Sequence, residues 1–233
     1  MKKLVVLTGA GMSAESGIST FRDAGGLWEK HNIEDVATPG GWQRNPVLVL
    51  DFYNQRRKQL LESKPNAGHL ALAELEKEYD VQIITQNVDN LHEQAGSTKV
   101  LHLHGELMKV RSTSPTEEVF ELTADNYETH MGDLCPKGYQ LRPHIVWFGE
   151  AVPEIINAER LTSQADVLVI IGTSLQVYPA AGLIHNAKPG IPIYLIDPNE
   201  MEHLPAYITV FRKGASEGMK ELIQILKSNG YKK

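Results

Sequence analysis

The chain has 233 residues, 42% of them hydrophobic and 22% charged, which is typical of a globular protein with one large domain or a large and a small one. The formal net charge of -6 argues against nucleic-acid binding through a broad basic face, and the single cysteine, Cys135, excludes an internal disulfide and an all-cysteine zinc site. Because no apolar run approaches the roughly 20 residues of a membrane span, and Leu4–Leu7 is too short for an export signal, we expect a cytoplasmic protein that binds neither nucleic acid nor membrane.

Six short apolar runs, rich in Val and Ile, predict strands that are buried on both faces of a parallel sheet. They are Leu4–Leu7, Val81–Thr85, Val100–Leu103, Val167–Ile171, Ile193–Ile196 and Ile208–Phe211. Helical patterns occupy Val47–Leu61 and Ala67–Tyr79, and a last helix is expected to end at Asn229-Gly230. This order of elements predicts an α/β protein with a Rossmann-like, doubly wound parallel sheet of about six strands.

Two long stretches interrupt the alternation of strands and helices. Ala24–Lys64 is rich in Gly, Pro and aromatic residues and contains one of the predicted helices, whereas Glu106–Gly149 has no clear period. Interruptions of this length in a compact domain are usually functional loops or a subdomain.

A glycine-rich turn follows the first predicted strand. Gly9-Ala10-Gly11-Met12-Ser13-Ala14 matches the pattern G-x-G-x-x-G/A, in which glycines let the main chain approach a pyrophosphate. A tight turn without any ligand would produce the same pattern. The acidic residue that ends the second strand of an ordinary Rossmann dehydrogenase cannot be placed, which argues against that class.

Five blocks of sequence, in order along the chain, together resemble the sirtuin family. The blocks are Gly9-Ala10-Gly11-Met12-Ser13-Ala14-Glu15-Ser16-Gly17-Ile18 with Thr20-Phe21-Arg22, Thr85-Gln86-Asn87-Val88-Asp89-Asn90-Leu91-His92, Leu103-His104-Gly105-Glu106, Arg142-Pro143-His144-Ile145-Val146-Trp147-Phe148-Gly149-Glu150, and Gly172-Thr173-Ser174-Leu175-Gln176-Val177-Tyr178-Pro179-Ala180. They cover nearly the whole chain, so a chance match is improbable.

The resemblance implies a fold, a cofactor and a reaction. Residues 1–23, 65–105 and 150–233 would form the NAD-binding domain, and the interruptions at 24–64 and 106–149 would form a small domain. NAD and an acyl-lysine protein or peptide would yield nicotinamide, free lysine and O-acyl-ADP-ribose. We expect the chain to act as a monomer.

His104 is the candidate catalytic base. Histidine suits the task because its ordinary pKa of about 6.5 leaves it mostly neutral near pH 7. The resemblance assigns His104 the activation of a ribose hydroxyl, and it places Asn87 and Asp89 in the nicotinamide pocket with Gln86 near the ribose. The alternatives are a packed or surface histidine and a loop whose Asn and Asp cap the next helix.

The resemblance implies further cofactor and substrate contacts. Phe21 would shield the reactive carbon from water, and Val146, Trp147, Phe148 and Gly149 would pair with the substrate main chain. The cofactor-binding residues would be Gly9, Ala10, Gly11, Ser13, Ala14, Thr20, Phe21, Arg22, Trp28, Gln86, Asn87, Asp89, His104, Gly172, Thr173, Ser174, Asn199 and Ala215. The substrate-binding residues would be Tyr53, Arg56, Val146, Trp147, Phe148, Gly149, Glu150 and Val177.

Tyr53 and Arg56 suggest a preference for acidic acyl groups. They are three residues apart in a predicted helix and so share a face. A guanidinium binds a carboxylate with two hydrogen bonds and a phenol can add a third, so the pair could recognise the end of a succinyl- or malonyl-lysine. The pair resembles the hallmark of desuccinylating sirtuins. The alternative is a solvent-facing helix with ordinary charges.

The sequence departs from most sirtuins where they carry a zinc ion held by four cysteines. Only Cys135 lies in that interval, Ser112 stands near the position of the first cysteine, and His130 and His144 are scattered. We therefore expect no zinc and no other metal site. The small domain would then be held by packing, through Val119, Phe120, Leu122 and Tyr127.

Three other functions remain open from sequence. An NAD-dependent protein ADP-ribosyltransferase would activate the cofactor in the same way, a nucleotide-binding module would lack the catalytic residues, and a dehydrogenase would require the missing ribose-binding acid. The Tyr53/Arg56 pair favours deacylation over the first, and His104 with the Gln86–Asp89 cluster argues against the second.

Overall fold

The computed structural model describes residues 1–18, 31–200 and 204–228. A six-stranded parallel sheet in the order β3-β2-β1-β7-β8-β9 forms its centre, as the apolar runs predict. Its strands are β1 (Lys3–Thr8), β2 (Asp80–Thr85), β3 (Val100–His102), β7 (Val167–Ile171), β8 (Ile193–Ile196) and β9 (Ile208–Phe211). The strand order reverses between β1 and β7, and ligands of such sheets bind in the crevice beyond the carboxyl ends at this switch point.

Helices cover both faces of the sheet. They are α1 (Gly11–Ala14), α2 (Ile33–Val36), α3 (Pro39–Arg44), α4 (Pro46–Glu62), α5 (Ala67–Leu75), α6 (Leu91–Gln94), α7 (Ile155–Ser163), a 3-10 helix (Ala180–Asn186) and α8 (Ala215–Ser228). In β1, Leu4 and Val6 pack into one core with α5 and α8, whereas Val5 and Leu7 pack into another with α7 and the 3-10 helix. Because successive side chains of a strand point to opposite faces, every residue of such a strand must be apolar.

Local signals explain where two of the longer helices begin. Asn45 accepts a hydrogen bond from the Leu48 amide at 3.1 Å and Pro46 occupies the first turn, so α4 starts where the capping rules predict. Asn66 and His69 form a capping box at the start of α5. Helix α5 ends at Leu75, four residues before the predicted Tyr79, because the chain must turn to enter β2 at Asp80.

A three-stranded antiparallel sheet, here called the small sheet, lies within the stretch that showed no clear period. It consists of β4 (Gly105–Ser112), β5 (Val119–Glu121) and β6 (Leu141–Ile145) in the order β5-β4-β6. The register of β4 against β6 shifts between Gly105 and Val110, which interrupts the alternation of buried and exposed residues. The strand period is therefore hidden in the sequence.

Helix α4 holds the small sheet. Leu107 and Ile145 pack in one core with Phe52 and Tyr53 of α4. The predicted packing through Val119, Phe120, Leu122 and Tyr127 is wrong for Val119, which is 47% exposed, and the other three are only partly buried. These residues lie on a short outer strand and its loop, where one face meets solvent.

None of the helices in the described part of the chain has the length and hydropathy that a membrane span requires.

Candidate active site

Two glycine turns meet at the switch point of the sheet. The Gly9 amide donates to the Ile171 carbonyl at 3.0 Å, and the Gly11 amide donates to the Gly172 carbonyl at 2.9 Å. A Cβ on Gly11 would lie 2.7 Å from the Gly172 Cα, and Gly172 itself has a φ of +62°. The main chains after β1 and β7 are thus in direct contact, which only glycines allow. Because these residues lack side chains, a ligand in the crevice could also approach their main chain.

A buried chain of polar groups follows β2. The Ser13 hydroxyl donates to the Asp89 carboxylate at 3.0 Å and accepts from the Asn87 side-chain amide at 3.1 Å. Asn87 is 8% exposed and Asp89 is 4% exposed. Burial raises the pKa of Asp89, while hydrogen bonds from the Leu91 amide and Ser13 oppose the rise. Residues from the first and second sequence blocks therefore form one buried polar cluster.

Gln86 connects three parts of the crevice. Its side-chain amide donates to the Thr173 hydroxyl at 3.0 Å, and its carbonyl accepts from the Nδ1 atom of His104 at 3.0 Å. The ends of β2 and β7 and the start of the small sheet are thereby linked at the switch point.

The hydrogen bond to Gln86 defines the tautomer of His104. A carbonyl can only accept, so Nδ1 carries the proton and the lone pair of the neutral ring lies on Nε2. Burial lowers the pKa of His104, and the Gln86 hydrogen bond opposes this only in part. The ring is therefore a neutral base near pH 7. Gly105 follows at a φ of +80°, where a Cβ would lie 2.0 Å from the His144 carbonyl, so a glycine is required after His104.

Tyr53 and Arg56 lie together at the inner side of α4. Tyr53 is 1% exposed, and its hydroxyl accepts a hydrogen bond from Nε1 of Trp147 at 3.0 Å. The guanidinium carbon of Arg56 is 5.6 Å from the centroid of the Tyr53 ring. Burial lowers the pKa of Arg56, while the nearby Tyr53 and Asp89 oppose the change. The pair is therefore not on a solvent-facing helix, and Arg56 lies close enough to Asp89 to feel its charge.

The segment after β6 is fixed by its own main chain. The amides of Val146, Trp147 and Phe148 donate to the His104 carbonyl, the Glu150 carboxylate and the Ala37 carbonyl respectively, at 2.8–3.0 Å. A substrate main chain would have to pair with the remaining groups of the segment. Phe148 and Val177 are 45% and 41% exposed, so both are accessible to a ligand.

Glu150 forms ion pairs with two arginines to which the sequence analysis assigns no role. Its carboxylate binds Arg142 at 2.8 Å and Arg111 at 3.2 Å, and the guanidinium carbon of Arg142 lies 3.4 Å from the Trp147 ring centroid. Arg142 opens the fourth sequence block, which is the only signal that could have found it. The network shows that Glu150 orders this segment.

The other predicted cofactor residues are distributed along the same edge of the sheet. Asn199 follows β8 and hydrogen-bonds Asp197, Ala215 is buried at the start of α8, and Ser174 is partly buried beside Thr173. Ala10 precedes α1 and Ala14 ends it. Thr20, Phe21, Arg22 and Trp28 lie outside the described residues.

Within residues 1–18, 31–200 and 204–228, no group of three or more His, Cys, Asp or Glu side chains is arranged to hold a metal ion. Ser112, near the position of the first zinc cysteine, donates a hydrogen bond to the sulfur of Cys135 at 3.3 Å. Ser112 and Cys135 are thus in contact.

The sheet, the paired glycine turns and the polar crevice define a dinucleotide-binding α/β protein, and comparisons with known proteins specify its family. A model of the Sir2 family matches residues 9–179. The chain is 63% identical, over 97% of its length and 98% of the relative's, to an NAD-dependent protein deacylase of Bacteroides thetaiotaomicron. The chain belongs to the Sir2 family, the sirtuins, and the predicted fold class and family are confirmed.

Solved structures agree with this assignment. The chain is similar to a crystal structure of a Sir2 homolog–NAD complex, with a TM-score of 0.87, 42% identity, and coverage of 98% of this chain and 90% of that one. It is also similar to a Sir2 homologue mutant in complex with ADP-ribose, with a TM-score of 0.88, 41% identity, and coverage of 98% and 93%.

Proposed function

We propose that this NAD-dependent protein deacylase removes succinyl and malonyl groups, as well as acetyl groups, from lysine side chains. The general activity follows from membership of the Sir2 family and from relatives of that name that match over nearly their full length. The acyl preference rests on one observation, the pair of the buried Tyr53 and the partly buried Arg56, whose guanidinium carbon lies 5.6 Å from the Tyr53 ring centroid.

His104 acts as the general base. NAD would supply an electrophilic ribose carbon by release of nicotinamide, and the acyl oxygen of the substrate would attack this carbon as the nucleophile. The Nε2 lone pair of His104 takes the proton of a ribose hydroxyl, because Nδ1 is held by the Gln86 carbonyl. Together with one water molecule, NAD and acyl-lysine would give nicotinamide, free lysine and O-acyl-ADP-ribose.

The buried polar chain of Ser13, Asn87 and Asp89 holds the nicotinamide carboxamide. A carboxamide has both donors and an acceptor, and this chain offers an amide, a hydroxyl and a carboxylate at fixed positions. The glycine turns after β1 and β7 provide main chain that can approach the diphosphate.

Arg56 recognises the acyl carboxylate. A guanidinium forms two charge-assisted hydrogen bonds with a carboxylate, which is worth about 1.5–3 kcal/mol when one partner is charged. Acetyl-lysine ends in a methyl group and makes no such bond. The Tyr53 hydroxyl adds a further contact at the same end of the acyl chain.

Replacing Arg56 tests the acyl preference. In Arg56→Met, kcat/KM for a succinyl-lysine peptide should fall about 10- to 150-fold further than kcat/KM for the same peptide bearing acetyl-lysine. Lys58→Met, an exposed cation of the same helix, is the matched control and should leave the ratio unchanged. Equal loss of both activities in Arg56→Met would refute the assignment.

We also propose that the chain works as a cytoplasmic monomer without bound zinc. The single cysteine, hydrogen-bonded to Ser112, supports the absence of zinc, because a structural zinc site needs four ligands. The absence of a membrane-length helix among the described residues is compatible with the compartment. A stable dimer in sedimentation at assay concentrations would contradict the oligomeric state.

A further inference from the structure

We propose that Trp147 is a positioning residue for acyl selectivity. Its indole N–H donates a hydrogen bond to the Tyr53 hydroxyl oxygen, so that the hydroxyl offers its proton to the ligand. This inference rests on the proposed desuccinylase function and extends it to a residue outside the Tyr53/Arg56 pair.

The hydrogen bond between Trp147 and Tyr53 has only one possible direction. The Nε1 atom of Trp147 lies 3.0 Å from the Tyr53 hydroxyl oxygen, and an indole N–H can donate but never accept. The side chains are 2% and 1% exposed, so water does not compete for the bond. The Tyr53 oxygen is therefore the acceptor.

Arg56 lies beside the same phenol. Its guanidinium carbon is 5.6 Å from the Tyr53 ring centroid, and a guanidinium has N–H donors only. A hydroxyl group has one donor and two acceptor sites. Because Trp147 donates to the Tyr53 oxygen and the neighbouring guanidinium can only donate, neither of them accepts the Tyr53 proton, so this proton is left for an acceptor on the ligand.

The indole is held in this orientation from behind. The main-chain amide of Trp147 donates to the Glu150 carboxylate at 2.8 Å. The same carboxylate binds Arg142, whose guanidinium carbon lies 3.4 Å from the centroid of the Trp147 ring. The Trp42 ring packs against it with a centroid distance of 5.9 Å. Trp147 therefore cannot turn its N–H away from Tyr53 without breaking these contacts.

The end of the acyl pocket thus offers two donors, the Tyr53 O–H and the Arg56 guanidinium. A carboxylate can accept from the Tyr53 O–H and the Arg56 guanidinium together, whereas the methyl group of an acetyl chain leaves the buried Tyr53 proton without a partner. Selectivity arises from two effects, the hydrogen bonds formed with the acidic acyl group and the cost of leaving the Tyr53 proton unpaired beside an acetyl group.

A double-mutant cycle tests the inference. Trp147→Phe keeps an aromatic ring and removes the N–H, so the succinyl-to-acetyl ratio of kcat/KM should fall about 2- to 12-fold, the value of one neutral hydrogen bond. In a Tyr53→Phe background the same change should leave the ratio as it is, because the oxygen through which Trp147 acts is gone. A merely structural role of Trp147 would not depend on the Tyr53 oxygen.

Two controls separate shape from hydrogen bonding. Trp42→Phe makes the same substitution in the adjacent ring; it keeps an aromatic ring against Trp147 and leaves the Trp147 N–H in place, so it should leave the ratio unchanged. If Trp147→Phe lowers the melting temperature below the assay range, 3-benzothienylalanine at position 147 keeps the shape of indole but replaces the N–H by sulfur, and it should lower the ratio by the same factor.

The possible outcomes are distinguishable. If the unmodified protein does not remove succinyl groups, the proposed function fails and this inference fails with it. If it removes them and Arg56→Met lowers the succinyl-to-acetyl ratio, but Trp147→Phe does not, this inference alone is overturned. An equal effect of Trp147→Phe with and without the Tyr53 hydroxyl would overturn it as well.

Discussion

The protonation of His104 connects a single hydrogen bond to catalysis. The Gln86 carbonyl places the imidazole proton on Nδ1, and burial favours the uncharged ring. A base that is neutral at physiological pH is thereby obtained without a carboxylate partner. In contrast, the neighbouring His102 hydrogen-bonds Glu93 at 2.8 Å, which raises its pKa, so two histidines two residues apart have opposite tendencies.

Replacing His104 should abolish turnover without unfolding the protein. His104→Asn removes the base, and loss of a general base costs about 10²–10⁴-fold in kcat. The melting temperature should stay close to that of the original protein, because an Asn side chain can still donate to the Gln86 carbonyl. His130→Asn, at an exposed histidine, is the control and should keep full activity.

The pH dependence of the original protein provides a second measure of the same residue. Only the unprotonated ring is a base, and because burial lowers the pKa of His104, this form persists below the ordinary value of about 6.5. The acidic limb of kcat/KM, which reports groups of the free enzyme, should therefore have its midpoint below pH 6.5. A midpoint above that value, or normal turnover by His104→Asn, would remove His104 from the mechanism.

At the scale of elements, α4 has two functional sides. Tyr53 and Arg56 lie on one side, where Tyr53 contacts Trp147 of the segment after β6. Asn54 and Arg57 bind the loop that follows β5. Asn54 donates to the Thr129 carbonyl and accepts from the Thr129 amide, each at 3.0 Å. Arg57 is fully buried, donates to the Leu107 carbonyl at 2.7 Å and to Asn54 at 2.8 Å, and burial lowers its pKa to about 10.

Removing the Asn54 side chain should destabilise the protein. Asn54→Ala leaves the Thr129 amide and carbonyl and one nitrogen of Arg57 without this partner inside the protein, which should cost about 1–3 kcal/mol in the free energy of unfolding. Urea denaturation measures the change. Asn157→Ala, at an exposed position of α7, is the matched control and should change the value by less than about 0.5 kcal/mol. Equal effects of Asn54→Ala and Asn157→Ala would show that the hydrogen bonds of Asn54 contribute nothing to the free energy of unfolding.

Elements of the parallel sheet could be predicted from sequence, and those of the small sheet could not. The runs at β7, β8 and β9 match the structure residue for residue. In β7 and β8 every residue is buried, and strands covered on both faces are apolar throughout. In β4, charged residues such as Lys109 and Arg111 and the register shift after Gly105 remove the periodic signal. The sequence pattern predicts the end of α5 four residues late, because it continues into the turn before β2.

Site residues that lie in sequence motifs could be predicted, and contacts between distant side chains could not. His104, Asn87, Asp89 and Gln86 lie in conspicuous motifs after strands, and the structure brings them into one crevice. The hydrogen bond from Trp147 to Tyr53 joins residues 94 positions apart and leaves no trace in local spacing. Contacts of this kind depend on how α4 packs against the small sheet, which local sequence patterns do not encode.

At the scale of the whole molecule, the groups proposed to bind the two substrates lie around one switch point of the sheet. The cluster of Ser13, Asn87 and Asp89 lies beyond β1 and β2, and the paired glycine turns lie beyond β1 and β7. Helix α4 carries the proposed acyl-binding pair, Tyr53 and Arg56. The small sheet is attached to α4 by packing, and the loop after β5 is attached to α4 by the hydrogen bonds between Asn54 and Thr129.

Chelation tests whether the molecule is stable without metal. Because the small sheet is held by packing and hydrogen bonds, EDTA should leave the melting temperature and the activity unchanged, and metal analysis of the purified protein should find no stoichiometric zinc. One equivalent of zinc per chain, or a melting temperature that falls on chelation, would contradict this expectation.

Parallel steady-state kinetics on one peptide carrying acetyl-, malonyl- or succinyl-lysine, with NAD, test the central claim most directly. We expect NAD-dependent loss of all three acyl groups, O-acyl-ADP-ribose as a product, and a higher kcat/KM for the two acidic groups than for acetyl. A clear preference for acetyl-lysine, or nicotinamide release accompanied by ADP-ribosylated protein and no free lysine, would contradict the account.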